Sequence, residues 1–439
     1  TNYAAIRTTN LTLPSGSLWN LQKPGSGSGY ENPASGTPNN YSDAAGHNFG
    51  FHPACPELAR LFYEGKLATL FNVGTLVYPM TRAQYQANSV KRPPQLFSHS
   101  DQVTQWQTSL PDQQPLTGWG GRCADLLNAA NNSNSISLSV SIAGANTFEI
   151  GNVVSQYAVS TSGAISLANV SGARLAALTN LLALPYPNMQ SSAYAGVAAH
   201  SINTGALLNN AIQNTSSTNY WTNNINGSGF PINIAVPNGG NVNNSTLSAQ
   251  LKMVARLIEA GRRDVASGGF GMKRQIFFCQ VGGYDLHSGQ TGTSAAPTDT
   301  RVGAHANLLA ELSQSLLAFQ RAMEQLDATY PGLSSSVTAF TSSDFGRTFP
   351  SNGLGSDHGW GSHHLICGGA VKGGQTYGKF PTLTVNGPDD TSTGRWIPTT
   401  ATDQYFATLA TWFGVDSGNL ATVFPNLGRF SSPTLGFMP

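Results

Sequence analysis

The chain has 439 residues, of which 40% are hydrophobic and only 10% charged, and its formal net charge is +1. That length supports a large core, the lack of any apolar run of about 18 residues argues against a membrane span, and the lack of a Lys/Arg cluster argues against a nucleic-acid partner. Asn, Ser, Thr and Gly replace the missing charge, a surface that suits a secreted protein and lateral association into an oligomer or filament.

The first residue is Thr1, with no signal peptide before it, which reads as a processed product or a chain whose start is missing. Residues 1–50 are loop-rich, with a Gly/Ser/Pro/Asn stretch from Pro24 to Asn40. Pro56 to Phe62 reads as a helix with Pro in its first turn. Leu67–Val73 is a short apolar run closed by Gly74, the pattern of a buried parallel strand. A helix is expected to start near Ser98 and another to cover Trp119–Leu127. From Ser135 to Val159, Ile136, Leu138, Val140 and Ile142 alternate with serines, which predicts a hairpin-bearing insertion. Helices follow near Gly172–Leu184 and Ser191–Ile212, then a loop-rich stretch from Asn214 to Asn244. A helix over Ser248–Val265, a strand over Gln275–Val281, a long amphipathic helix over Arg301–Leu326 and a strand over Val337–Thr341 come next. A strand at His364–Cys367 and a helix at Tyr405–Phe413 complete the reading. The strand–helix–strand alternation through 275–341 argues for an α/β sheet with right-handed crossovers. No linker separates two cores, so one domain over residues 1–439 is expected, with an insertion over roughly 135–245.

The four cysteines show no Cys-x-x-Cys spacing, which argues against a structural zinc knuckle. Cys55 and Cys123 could pair in an oxidising compartment; Cys279 and Cys367 lie in apolar strands and read as buried thiols.

Two stretches carry chemistry. Gly282-Gly283-Tyr284-Asp285-Leu286-His287 follows an apolar strand. If the strand continues that far, Asp285 and His287 leave the same face and share one metal ion; the bland reading is a polar loop. Asp344 follows Val337–Thr341 at the carboxyl edge of the sheet, where α/β enzymes bind ligands. Arg347 pairs with Asp344 or clamps an anionic substrate. Asp357-His358 lies in a Gly-rich loop, with His363 and His364 close behind, either ligands or packing at the next strand. Ser98-His99-Ser100-Asp101 has two readings: Ser98 as a nucleophile at a helix start, or Ser98 and Asp101 as a capping box. Trp106, Trp119 and Trp360 wall a pocket or pack in the core.

These stretches, with Tyr3-Ala4-Ala5-Ile6-Arg7, Phe51-His52-Pro53, Asn72–Leu76, Pro94–His99, Thr117–Arg122 and Asp344–Thr348, resemble the domain-of-unknown-function 1501 family. That family comprises secreted bacterial proteins related to alkaline phosphatases and sulfatases. The resemblance implies an alkaline-phosphatase-like α/β sandwich: a mostly parallel central sheet, helices on both faces and a small β-hairpin insertion. It implies that Asp285, His287 and His358 hold one divalent ion (zinc, calcium or magnesium), that Asp344 belongs to a second position, and that Ser98 lies near the nucleophile. Phe345 stands where alkaline phosphatases have His. Relatives carry a first strand ending in a Gly-Gly-Asn-Asp type segment, shortly before the match to Tyr3, whose Asp would be a central ligand.

The expected function is a secreted, extracellular or periplasmic metal-dependent hydrolase in which Ser98 and Arg347 serve catalysis. Its partner would be a small anionic phosphate or sulfate ester, or a polysaccharide. The alternative is a non-catalytic extracellular protein that self-assembles or adheres and keeps a degenerate metal site.

Overall fold

A computed structural model of the chain describes residues 3–25, 40–113, 115–131, 136–164, 167–213, 215 and 229–439. The predicted run after Lys66 becomes the central strand, Leu67–Gly74, with every residue buried. Continuous burial is what a strand covered on both faces requires. Ser362–Gly368 lies antiparallel on one side of it, and Thr338–Phe340 lies antiparallel beyond that. Two short strands, Thr376–Tyr377 and Thr400–Ala401, pair with the other side in parallel. A second sheet contains Ile276–Phe278 and Tyr157–Ser160, both parallel to Ser139–Ser141 between them.

The architecture is α/β, but the expectation of a mostly parallel sheet is corrected: the sheets are mixed. The reason lies in a connection. A parallel return needs a crossover, usually a helix. Residues 341–361, between Thr338–Phe340 and Ser362–Gly368, form no helix; they are the loop that holds Asp344, Asp357 and His358. The chain therefore folds back antiparallel. The strands at 276–278 and 338–340 also fall in separate sheets rather than one. The expected hairpin is displaced as well. Ser139–Ser141 is a buried inner strand, and the hairpin is formed by Tyr157–Ser160 and Gly163–Ala164. Its serines alternate with apolar residues, yet Ser139 and Ser141 are fully buried.

Helices cover both sides. One core gathers Leu58, Leu61 and Phe62 of the Pro56–Tyr63 helix, Leu251 and Val254 of Thr246–Arg262, and Leu316, Phe319 and Met323 of Ala304–Leu326. A second core gathers Trp106, Trp119, Tyr405 and Phe406 with Leu70 and Ile366 of the sheet. Trp106, Trp119 and Trp360 are thus core residues, not pocket walls. A helical segment at Tyr3–Leu11, interrupted at Thr8 and lying in a stretch expected to be loop-rich, docks through Arg7, whose Nη1 donates to the carbonyls of Thr348 and Phe349 at 3.2 and 2.9 Å. The expected Cys55–Cys123 pairing is corrected: all four cysteines are free, and these two sit in different cores. Among the described residues no helix is long and apolar enough to cross a membrane.

Segment 146–151 packs on the Trp119–Leu127 helix and carries a buried carboxyl. Glu149 Oε2 accepts from Asn146 Nδ2 at 2.8 Å. Burial pushes its carboxyl up to about 8, and the Asn146 hydrogen bond offsets only part of that. The folded state therefore holds a proton that the unfolded state releases near pH 4.5. Stability is greatest below that value and falls as pH rises toward about 8. Glu149→Gln is expected to raise the melting temperature at about pH 9 and to change it little at about pH 4; an equal effect at both would refute this assignment.

Candidate metal centre

Four separate segments meet at one end of the sheets. The strand Ile276–Phe278 stops before the predicted pair, so Asp285 and His287 stand on a loop and not on a strand face. Gly283, at φ +92°, makes the turn that an L side chain would strain. Asp344 follows Thr338–Phe340 on the neighbouring loop. Residues 351–358 lie flat on residues 286–290: the Ser356 amide donates to the Leu286 carbonyl at 3.2 Å, and Asn352 Nδ2 donates to the His287 carbonyl at 3.1 Å. Gly355 permits this approach, because a Cβ there would stand 2.3 Å from the Leu286 carbonyl oxygen. The fourth segment is the start of the His99–Thr108 helix.

Three imidazoles surround one carboxylate, and all three are oriented alike. His358 Nδ1 donates to the Phe97 carbonyl at 2.7 Å. His287 Nδ1 donates to Asp357 Oδ1 at 3.1 Å, and His99 Nδ1 to Asp344 Oδ2 at 2.5 Å. Each Nε2 turns toward Asp285: His287 at 3.0 Å and His358 at 3.2 Å from Oδ1, His99 at 3.2 Å from Oδ2. The Nε2 atoms of His287 and His358 are 2.9 Å apart. Phe345 packs against both His99 and His358, with centroids 4.7 and 4.5 Å away, and fixes the ring planes.

A neutral imidazole that donates from Nδ1 presents a lone pair at Nε2. In that state three nitrogen lone pairs and a carboxylate converge, a donor set that a divalent cation would satisfy. Donor atoms bound at about 2.05 Å to a tetrahedral ion lie about 3.3 Å apart. The separations of 2.9–3.2 Å around Asp285 Oδ1 come within a few tenths of that edge. The outer partners of the imidazoles, two carboxylates and a backbone carbonyl, are the groups that orient metal-ligating histidines. The residues therefore fit a divalent ion. His99, Asp285 and His358 also satisfy the spacing of a three-ligand set.

Charge within the cluster is partly balanced. Burial pushes Asp285 upward, but the Arg347 guanidinium and the imidazoles outweigh it and hold its carboxyl below the usual range. Hydrogen bonds from Asn352 and then His287 lower Asp357. The hydrogen bond to Asp344 raises the His99 imidazole above its ordinary value. The cluster is open to solvent, with the side chains of His99, Asp285 and His287 at 44, 42 and 47% exposure.

The predicted residues fall into place unequally. Asp285, His287 and His358 come together. Asp344 reaches the cluster through His99; its Oδ1 accepts from the Ser343 hydroxyl and the Phe345 amide. Arg347 pairs with Asp285 rather than Asp344, and also donates to the Ser356 carbonyl. Ser98 adjoins His99, and its hydroxyl donates to Asp101 Oδ2 at 2.6 Å; it makes no cap bond to the helix backbone. His363 and His364 lie elsewhere. His363 Nδ1 accepts from the Asn72 amide at 3.1 Å, and His364 is buried beside Trp106. Two participants went unrecognised in the sequence, His99 and the ring-orienting role of Asp357. The signal for His99 was its place one residue past Ser98, in a quartet already explained as a cap.

The match to a family model now adds independent information. Residues 34–417 match the family described as "Protein of unknown function (DUF1501)". The chain belongs to the DUF1501 family. No curated protein and no solved structure matches it. The family span includes every residue of the cluster, from His99 to His358.

In ion-free protein the His99–Asp344 pair is measurable directly. His99 is expected to titrate above 6.5 by imidazole NMR, and Asp344→Asn to bring it down. The pair's stabilising effect is full below that value and fades as pH rises through the raised folded one. An unchanged His99 titration in the variant would show that the contact does not form in solution.

Proposed function

We propose that the chain is a divalent-metal hydrolase acting on phosphate or sulfate esters outside the cytoplasm. The observation that carries this reading is the common orientation of the three Nε2 atoms toward Asp285. Asp285, His287 and His358 would hold the ion, with His99 as a fourth donor. An imidazole-rich set suits zinc better than the all-oxygen shells that calcium and magnesium prefer. When bound, such an ion supplies Lewis-acid polarisation of an ester oxygen.

The chain's own groups supply the rest. Ser98 Oγ stands at the amino end of a helix whose partial positive charge favours an incoming anion. Asp101, accepting from Ser98 at 2.6 Å, is placed to take its proton. Arg347, beside Asp285, adds positive charge for a phosphate or sulfate group. Asp357, Asp344 and the Phe97 carbonyl hold the imidazole rings in their tautomers and orientation. The low charged content supports the secreted setting.

Calorimetric titration of metal-stripped protein with zinc is expected to show one tight site and release of protons, since ion and proton compete for the same Nε2 atoms. Asp357→Asn is expected to weaken binding by about 10- to 100-fold without touching a ligand. A panel of aryl phosphates and aryl sulfates then tests turnover, and Ser98→Ala is expected to lower it about 100-fold or more with zinc affinity unchanged. A protein that binds no divalent ion would sink the reading. One that binds zinc yet cleaves neither ester class would leave a non-catalytic extracellular protein.

A further inference from the structure

The cluster's own guanidinium has little left to offer an anion. Each of the three nitrogens of Arg347 is engaged: Nη1 by Asp285, Nη2 by the Ser356 carbonyl and Nε by the Ser356 hydroxyl at 3.4 Å. Arg395 differs. Its Nε donates to the His358 carbonyl at 2.8 Å, and its guanidinium carbon lies over the Phe97 ring, 4.2 Å from the centroid. Among the described residues its Nη1 and Nη2 have no protein partner, and neither is shut off from solvent. The Phe97 carbonyl in turn accepts from His358 Nδ1 at 2.7 Å. Arg395, His358 and Phe97 thus close a ring of contacts. One member is an imidazole of the metal cluster, and the two residues after Phe97 are Ser98 and His99.

The guanidinium is held still from behind. Asp390 Oδ1 accepts from the Ser392, Gly394 and Arg395 amides at 3.1, 2.8 and 3.0 Å, and the Arg395 carbonyl accepts from the Thr391 amide at 3.0 Å. The Gly394 carbonyl accepts from the Phe349 amide at 2.8 Å, which ties this loop to the one that carries Asp344. The buried Asp390 is therefore occupied by amides and forms no ion pair with Arg395. Phe97 and Gln95 have φ of +72° and +51°. A positive φ is costly for a bulky residue, and such strain gathers at ligand clamps. Here it turns the Phe97 ring under Arg395 and its carbonyl onto His358. Local charge favours an anion as well. From Gly65 to Ser100 the sequence has four Lys or Arg and no Asp or Glu. Lys91 and Arg92 line a cleft of about 610 Å³ that Phe97 borders. Lys91 meets Asp112 at 3.5 Å, whereas Arg92 lies over the Tyr85 ring at 4.7 Å. A guanidinium with both Nη groups free matches two oxygens of a phosphate or sulfate group as a fork. Ordering it beforehand removes that cost from binding.

We infer that Arg395 is an oxyanion-binding residue beside the metal cluster: its Nη1 and Nη2 take two oxygens of a phosphate or sulfate group, while Arg347 neutralises Asp285. The inference rests on the hydrolase reading for the identity of the anion and adds to it the residue that recognises the group.

Calorimetric titration of the full chain, zinc-loaded and ion-free, with inorganic phosphate and with inorganic sulfate tests it at equilibrium and needs no turnover. The unaltered chain is expected to bind at least one of the two anions. Arg395→Ala is expected to weaken that binding about 10- to 100-fold, as the loss of two charged hydrogen bonds implies. Arg395→Lys keeps the charge but not the fork and is expected to fall between. In both variants zinc affinity is expected to change by less than anion affinity. Three outcomes overturn the inference. The unaltered chain binds neither anion in either form; or Arg395→Ala binds both as the unaltered chain does. In the third, zinc and anion affinity fall by the same factor, which leaves Arg395 as a support for the His358 backbone alone. A chain that binds phosphate through Arg395 and cleaves no ester removes the hydrolase reading and leaves the anion site standing.

Discussion

One carboxylate organises the end of this molecule. Asp285 receives three imidazoles and a guanidinium contributed by loops and a helix start that lie far apart in the sequence. Four positively polarisable groups cannot crowd one carboxylate unless something fixes each of them from behind. Phe97, Asp344 and Asp357 do this for the rings, and the Ser356 carbonyl does it for Arg347. The hydrogen bonds at Nδ1 decide what each ring offers at Nε2, so the outer contacts determine the chemistry of the centre.

The sheets serve that arrangement by ending where they do. Ile276–Phe278 and Thr338–Phe340 are only three residues each, and both stop short of the acidic residues they deliver. Each strand gives way to a loop held by close backbone contacts, such as Gly355 against Leu286. Irregular backbone lets side chains from one segment point at a common centre without the two-residue alternation of a strand. The cost of irregularity is met by local hydrogen bonds, including those of Asn352 to His287 and Asp357.

Much of this was legible from sequence. The long helices at 304–326 and 246–262 and the central strand fall within a few residues of their predicted bounds, because amphipathic periodicity and a continuous apolar run are strong signals. Asp285, His287 and His358 were legible because acidic and imidazole residues after apolar strands are a chemical pattern. Strand direction was not legible: an apolar run buried on both faces reads the same in either orientation. His99 was hidden by a competing explanation. Ser-x-x-Asp suggested a helix cap, whereas the hydroxyl of Ser98 gives its hydrogen to Asp101 and leaves the cap bond unmade. The resemblance put Asp344 at a second metal position; in the structure its carboxylate meets His99 Nδ1, a contact that depends on side-chain direction and not on spacing.

The four thiols bear on how the protein tolerates its surroundings. Burial lifts the thiols of Cys123, Cys279 and Cys367 to about 12, and that of Cys55 higher still. The reactive form of cysteine is the thiolate, and at neutral pH almost none exists here. Alkylating reagents and mixed-disulfide exchange therefore meet little thiolate at these four positions in the folded chain.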